Sequence, residues 1–205
     1  MAVRIKKKAA YHHGDLRQTL VDAALRIARD RGTRAITLAD TAKLAGVSSA
    51  APYRHFADKE ALLAAAAEAC FVQFHSVLNT ARTSTTNLVE GLFLQGEAYL
   101  DFGKQHPEQL DLMFAMHFNF GAYAELLVAS ANAWDELLAS VRALAADGII
   151  DAARADDVAR QVWFFTHGAA TIGMALPGSP DPARTLRAGV SRLLGLPADA
   201  VSASK

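Results

Sequence analysis

The sequence predicts an all-α protein of about nine helices, and three observations carry that expectation. Apolar residues recur three and four apart through most of the 205 residues. No segment alternates apolar and polar residues for long, as a half-buried strand would. Helix punctuation recurs at regular intervals, with capping residues at the starts and glycine or proline at the ends. Hydrophobic residues make up 52% of the chain, enough for a sizeable core in one large or two small domains.

Residues 1–12 read as a flexible basic arm. A first helix is expected from Asp15 to Arg31, with Leu16, Leu20, Ala23 or Ala24, and Ile27 at helical spacing and Gly32 as its stop. Thr37 is an N-cap for the second, with Asp40 three residues on in a capping-box-like position. Gly46 breaks that helix in the left-handed conformation glycine adopts cheaply. Ser48 or Ser49 caps a short third helix over about 49–55, where Pro52 falls early enough to be tolerated. Asp58 caps a long helix to about Leu78, and the polar run Arg82–Asn87 reads as a connector. Further helices are expected over about 88–104, 108–116, 123–146 and 154–176. Asp181 and Pro182 open the last, which carries Leu186, Val190, Leu193 and Leu194. The expected division is a 13–60 head, a 61–197 body and a 198–205 tail.

The net charge of zero hides an asymmetry: Lys and Arg exceed Asp and Glu by six in residues 1–60, and the reverse holds in 61–205. A basic first part suits a polyanion. The single cysteine, Cys70, leaves no internal disulfide and no cysteine zinc site, which fits a reducing cytoplasm. It reads as a buried inert thiol, with a thiol sensor as the alternative. The uncharged stretch 161–180 is interrupted by polar residues and by Pro177-Gly-Ser-Pro180, so it reads as a buried helix rather than a membrane span.

In residues 37–63, two short helices are separated by a glycine turn and followed by a capped long helix. That order is a helix-turn-helix, whose second helix presents its N-terminal residues to the major groove. Ser48, Ser49, Ala50 and Ala51 are small enough for close approach. Ser49 can hydrogen-bond a base edge or a phosphate, and the alanines can meet thymine methyls. Arg54 can bind guanine bidentately. Thr37, Tyr53 and His55 can donate to phosphate oxygens. Lys59 sits at a helix N-terminus, where the dipole disfavours a cation unless a phosphate lies nearby. Lys59 and His55 also have ordinary readings as solvated surface groups, and Tyr53 as a ring partly packed in the core with its hydroxyl exposed.

These residues resemble the tetracycline-repressor-like (TetR) family of transcriptional regulators. The correspondence runs through Thr37, Ala45-Gly46-Val47-Ser48, Tyr53-Arg54-His55-Phe56 and Lys59-Glu60-Ala61-Leu62. Pro52 is a departure, since an aliphatic residue is usual before the tyrosine. The resemblance implies a homodimer that binds a near-palindromic DNA operator through two heads. It also implies a repressor released by a small-molecule effector in the body, with no cofactor, metal or catalytic residue.

In the helix 154–176, Val158, Val162, Phe165, Ala169, Ile172 and Leu176 step by four and three, a seam spacing. Trp163, His167, Ala170 and Met174 form a neighbouring stripe. In the family the last two helices of each chain form a four-helix dimer interface, so the resemblance implies that Val158, Val162, Phe165, Ala169 and Ile172 form it with Leu186, Val190 and Leu193. The alternative places both stripes in the protomer core. Trp163-x-x-x-His167-Gly168 is similar to a Trp-His-Gly subgroup of the family, with Gly168 allowing close helix approach. Trp163 and His167 either line a pocket or form a hydrogen-bonded core pair. Residues 113–123 are rich in aromatics and methionine, as a pliable pocket wall or ordinary core would be. Met113, Met116, His117, Phe120 and Tyr123 are the candidates there, with Asn119 as a further polar contact, for a mostly apolar effector. A DNA-binding regulator without a ligand is the alternative. An enzyme is disfavoured, because no nucleophile–base pattern or metal-ligand spacing is present.

Overall fold

The structure, a computed structural model, describes residues 13–115, 118–172 and 181–197. The expected arm, the tail, Met116, His117, Met174 and Leu176 lie outside those residues. Among the described residues there are eight α-helices and no strand. They are α1 (His13–Arg31), α2 (Leu38–Leu44), α3 (Lys59–Thr83), α4 (Leu88–Gln105), α5 (Pro107–Leu110), α6 (Ala124–Ala146), α7 (Ala155–Thr171) and α8 (Pro182–Leu194). The chain forms two compact units that divide at Ala66/Ala67, inside α3 and later than the expected boundary at 60/61. A division inside one continuous helix leaves no shift of composition to mark it.

In the first unit the core is built from Leu20, Val21, Ala24, Ile27, Ile36, Leu38, Ala42, Phe56 and Leu62, all buried. Thr37 caps α2: its Oγ1 accepts the Asp40 N–H at 3.0 Å. Gly46 adopts φ +71°, and the turn closes with Val47 N–H donating to the Ala42 carbonyl and Gly46 N–H to that of Lys43. That pair of bonds is a Schellman closure, which requires the left-handed residue.

The expected third helix is not α-helical. Residues 49–50 form a turn, and Pro52–Arg54 form a single 3₁₀ turn. Pro52 has no N–H to donate to the Ser48 carbonyl. That oxygen accepts from Ala51 N–H at 2.9 Å instead, and Arg54 and His55 N–H donate to Ala51 and Pro52 at 3.2 and 2.9 Å. The departure from the family pattern at Pro52 therefore has a structural consequence, and it accounts for eight α-helices where about nine were expected.

In the second unit α4 packs against α6, α7 and α8, and α7 packs against α6 and α8. Glycines set two of these distances. A Cβ at Gly96 of α4 would lie 2.7 Å from Leu186 Cδ2 of α8, and one at Gly189 of α8 would overlap the Phe165 ring of α7. Arg187 of α8 is clamped by Glu90 at 2.8 Å and also bonds Glu97, and its guanidinium stacks over Phe93. The helix expected over 108–116 resolves into α5 and a single π-helical turn, Asp111–Ala115. The expected connector shortens, because α3 continues to Thr83. By length and composition α3 is apolar enough to cross a membrane, but Leu62, Leu63, Cys70, Phe71, Phe74 and Leu78 are buried in the protein.

Candidate nucleic-acid interface and effector cavity

The first unit places its polar candidates at the surface. Thr37, Ser48, Ser49, Ala50, Tyr53, Arg54 and Lys59 are exposed, and His55 is half-buried. Tyr53 is 63% exposed, so its ring is presented outward rather than packed. Each residue is held by a local device. The 3₁₀ turn fixes Tyr53, Arg54 and His55 on the stretch between Gly46 and α3. Asp58 caps α3 by accepting the Ala61 N–H at 2.8 Å, which sets where Lys59 begins that helix.

Two interactions refine the sequence reading. The Thr37 hydroxyl donates to Asp40 Oδ2 at 2.9 Å while accepting from the Asp40 N–H. Its proton is already in use and must be released before it reaches a phosphate. Lys59 Nζ donates to the Arg34 carbonyl at 3.4 Å, and Asp58 and Glu60 flank it on the chain. These acceptors and carboxylates offset the unfavourable dipole at the helix start, so Lys59 is less conflicted than its position alone suggests.

The second unit contains a cavity of about 20 Å³ lined from five helices. Leu78 comes from α3; Leu92, Gln95, Gly96 and Tyr99 from α4; Leu137 from α6; Val162, Trp163 and Thr166 from α7; Val190 from α8. Beside it lies an aromatic cluster. Trp163 packs edge-on against Phe74, Tyr99, Phe114 and Trp134 at centroid distances of 5.7–6.4 Å. His167 Nδ1 lies 2.6 Å from Tyr99 Oη, and its ring meets Phe114 at 4.8 Å. Burial lowers the His167 pKa, favouring the neutral ring that accepts the Tyr99 proton. Burial raises the Tyr99 pKa, so the phenol keeps its proton.

Of the expected pocket residues described, only Trp163 lines this cavity. Met113 is buried elsewhere, and Phe120 and Tyr123 are half-buried around a 3₁₀ turn, Phe120–Ala122, ahead of α6. His167 takes the hydrogen-bonded core role beside the tryptophan. Gln95, Tyr99 and Thr166 were not singled out from the sequence. A signal for two of them existed in the spacing Leu92–Gln95–Tyr99, which puts a glutamine on the apolar face of α4.

The expected dimer stripe is divided. Val158, Val162, Leu186 and Val190 are at most 3% exposed within the protomer, so their side chains serve its own core; this corrects the expectation for those four. Phe165 lies on Gly189, and Ala169 and Leu193 are half-buried. The buried face of α7 is Ala155, Val158, Ala159, Val162, Thr166 and Ala170, which follows a true helical period instead of the 3.5-residue seam. The outward face carries Phe164 at 70% exposure, Ile172 at 64%, and between them Gly168, where an added Cβ would meet nothing.

Cys70 is fully buried, and burial with the nearby Glu108 charge pushes its thiol up to about 12. That disfavours the thiolate a redox sensor needs. Among the described residues no group of three His, Cys, Asp or Glu side chains is placed to hold a metal.

Comparison with known proteins gives two family matches. Residues 20–66 match the model of bacterial regulatory proteins of the tetR family, and residues 92–194 match the tetracyclin repressor-like C-terminal domain. The second match does not itself single out the Trp-His-Gly subgroup. The HTH-type transcriptional regulator BetI of Rhizobium meliloti (strain 1021) is 51% identical over 49 residues, a span of 24% of each chain. A solved protein of unknown function from Rhodococcus sp. RHA1 is 30% identical, with TM-score 0.80 over 92% of this chain and 99% of its own. RolR in complex with resorcinol shares the fold, with TM-score 0.68 and 18% identity over 92% and 91% of the two chains.

Proposed function

Because the chain belongs to the tetracycline-repressor family of bacterial regulatory proteins, we propose that it is a homodimeric repressor that binds a near-palindromic DNA operator and is released by a small effector. The observation that carries this reading is the set of exposed Thr37, Tyr53, Arg54 and Lys59 with half-buried His55 around the Gly46 turn. Tyr53, His55, Thr37 and Lys59 contact phosphates and set register. Ser48, Ser49, Ala50 and Arg54 face base edges. The protein acts in the cytoplasm and carries no enzymatic activity.

The dimer forms through the outward face of α7, Phe164–Gly168–Ile172, with the adjoining face of α8. Residues at i, i+4 and i+8 lie on one side of a helix, and a glycine between two exposed apolar residues admits a close helix from a second copy. Two heads held by that interface read two half-sites one helical turn apart or a multiple of it. Selection of operator fragments from random-sequence DNA, followed by affinity measurement between 50 and 200 mM salt, tests the reading. Palindromic half-sites and an affinity that falls steeply with salt are expected. A salt-independent affinity refutes it.

A second reading, a DNA-binding regulator without a ligand, is favoured by the size of the cavity between α4 and α7. Its 20 Å³ is far below the roughly 300–1,000 Å³ of drug-sized pockets. Clefts of about 950 Å³ (around Thr85–Phe93, Asp147 and Leu196) and about 380 Å³ (around Glu68, Val72 and Val128) are more open to solvent. Native mass spectrometry of the purified protein separates the two. A retained small molecule, or one that releases operator DNA, excludes the ligand-free regulator.

A further inference from the structure

Among the described residues, six buried side-chain polar atoms have no hydrogen-bonding partner within the protein. Three of them, Gln95 Nε2, Gln95 Oε1 and Thr166 Oγ1, belong to two residues that line the same cavity. Both residues are 3% exposed. A buried amide and a buried hydroxyl without partners are destabilising, and a methionine and a valine of similar shape would remove that cost. Their placement on one cavity is accounted for by an occupant that pairs with both.

The rest of the lining defines the occupant's chemistry. Leu78, Leu92, Leu137, Val162 and Val190 are aliphatic, Trp163 is aromatic, and no lining residue is charged. Tyr99 also lines the cavity, but its hydroxyl is engaged with His167. The polar complement is therefore neutral, with donors and acceptors on both Gln95 and Thr166. A cavity of about 20 Å³ admits a single water-sized group.

We propose that Gln95 and Thr166 hold the hydroxyl of an uncharged effector, an alcohol or phenol whose apolar body packs against Leu92, Leu137 and Trp163. The inference rests on the effector-responsive reading above. A hydroxyl donates one hydrogen bond and accepts another, which matches a lining that offers an amide and a hydroxyl, each with donor and acceptor capacity. A carboxylate is excluded from this site because a buried charge without a cation beside it is not compensated. An alkyl group alone leaves both polar residues unpaired. The hydroxyl takes the existing cavity, and the body makes its own room by rotamer changes in Leu78, Leu92 and Leu137. Those side chains sit on α3, α4 and α6, so occupancy shifts the packing of three helices at once.

The full-length protein is titrated with 4-alkylphenols from methyl to pentyl, with the matching alkylbenzenes, and with the matching 4-alkylbenzoates. Tryptophan fluorescence reports binding, because Trp163 lines the site and Trp134 packs on it. Phenols are expected to bind about tenfold more tightly than hydrocarbons of equal length, as one well-made buried hydrogen bond provides. Benzoates are expected to be weaker than phenols. Thr166→Val and Gln95→Met are each expected to erase most of the phenol advantage while still binding the hydrocarbons, which shows that the variants fold; Thr166→Ser is expected to retain it. Equal binding of phenols and hydrocarbons by the unmodified protein overturns the proposal. So do tightest binding by benzoates, no binding by any series, and a phenol advantage that survives both substitutions. Operator release is scored separately on the unmodified protein. Phenols that bind with this preference but release no DNA sustain the site and refute the regulatory reading. Release by a compound indifferent to Gln95 and Thr166 does the opposite.

Discussion

The two units put their chemistry in opposite places. In the first, Tyr53, Arg54 and Lys59 are exposed, and each is positioned by something within a few residues of it: a glycine closure, a proline-enforced 3₁₀ turn, an aspartate cap. In the second, Gln95, Tyr99, Thr166 and Trp163 come from two helices far apart in sequence and converge on a cavity only because α4 and α7 pack. A surface site made by local geometry can be read from a string of residues. An interior site made by helix packing depends on which face of each helix turns inward, and here both flanks of α7 are apolar.

The largest expected effect tests the division of α7 into two faces. Phe164→Asp combined with Ile172→Asp should convert the proposed dimer to monomer and weaken operator binding by at least roughly 100-fold, the loss of about 2.7 kcal/mol or more. Sedimentation and DNA titration measure the two. Val162→Ala on the inner face should leave the dimer intact and lower folding stability by about 2 kcal/mol. If Val162→Ala dissociates the dimer and the aspartates do not, the faces are assigned the wrong way round.

A smaller effect is expected at the head. Tyr53→Ala with Lys59→Ala should cost roughly 30- to 100-fold in operator affinity and should reduce the salt slope by about one. Thermal unfolding should barely change, since both side chains are exposed. Unchanged operator affinity would show that the exposed set is not the interface.

How much was legible follows from the same contrast. The helices were readable because their caps are local: Thr37, Asp58 and Asp181 each accept a backbone N–H in the first turn of the helix expected from them. The segment 49–55 reads as a helix but forms a turn and a 3₁₀ turn, although the cause, Pro52, is visible in the sequence. In the body, the 4-3-4-3 stripe fitted a seam from Val158 to Phe165, yet the buried face passes through Thr166. Two adjacent apolar residues, Phe164 and Phe165, masked the drift. Met113, Phe120 and Tyr123 looked like a pocket by composition alone, and composition does not distinguish a pocket wall from core.

His167 gives a milder test of the interior. Its pKa is depressed by burial, so the unfolded chain takes up a proton more readily than the folded one. The stability it contributes is whole above the unfolded value of about 6.5 and is lost as the pH falls through the folded value. Tm should therefore decline on acidification below about pH 6.5, and less steeply in His167→Gln, which does not titrate and can still accept the Tyr99 hydroxyl. An identical slope in the variant would show that His167 does not carry the acid sensitivity.

Pro52→Ala should have the smallest effect on stability and the most specific effect on recognition. The substitution restores an N–H opposite the Ser48 carbonyl, which now accepts from Ala51. An α-helical turn over 48–54 then becomes available, and it rotates Tyr53 and Arg54 relative to Ser48 and Ser49. Stability should fall by about 1 kcal/mol or less, from lost burial of the ring and a less restricted unfolded chain. Overall operator affinity should change by only a few-fold, because the proposed phosphate contacts lie on both sides of the turn. The base preference at the centre of each half-site should shift, since on the proposed reading the small side chains at Ser48, Ser49 and Ala50 approach the groove closely and any rotation alters that approach. Selection from random-sequence DNA with both proteins makes the comparison directly. An identical consensus would mean that the 3₁₀ form does not set the readout, and that discrimination comes from the spacing of the two heads.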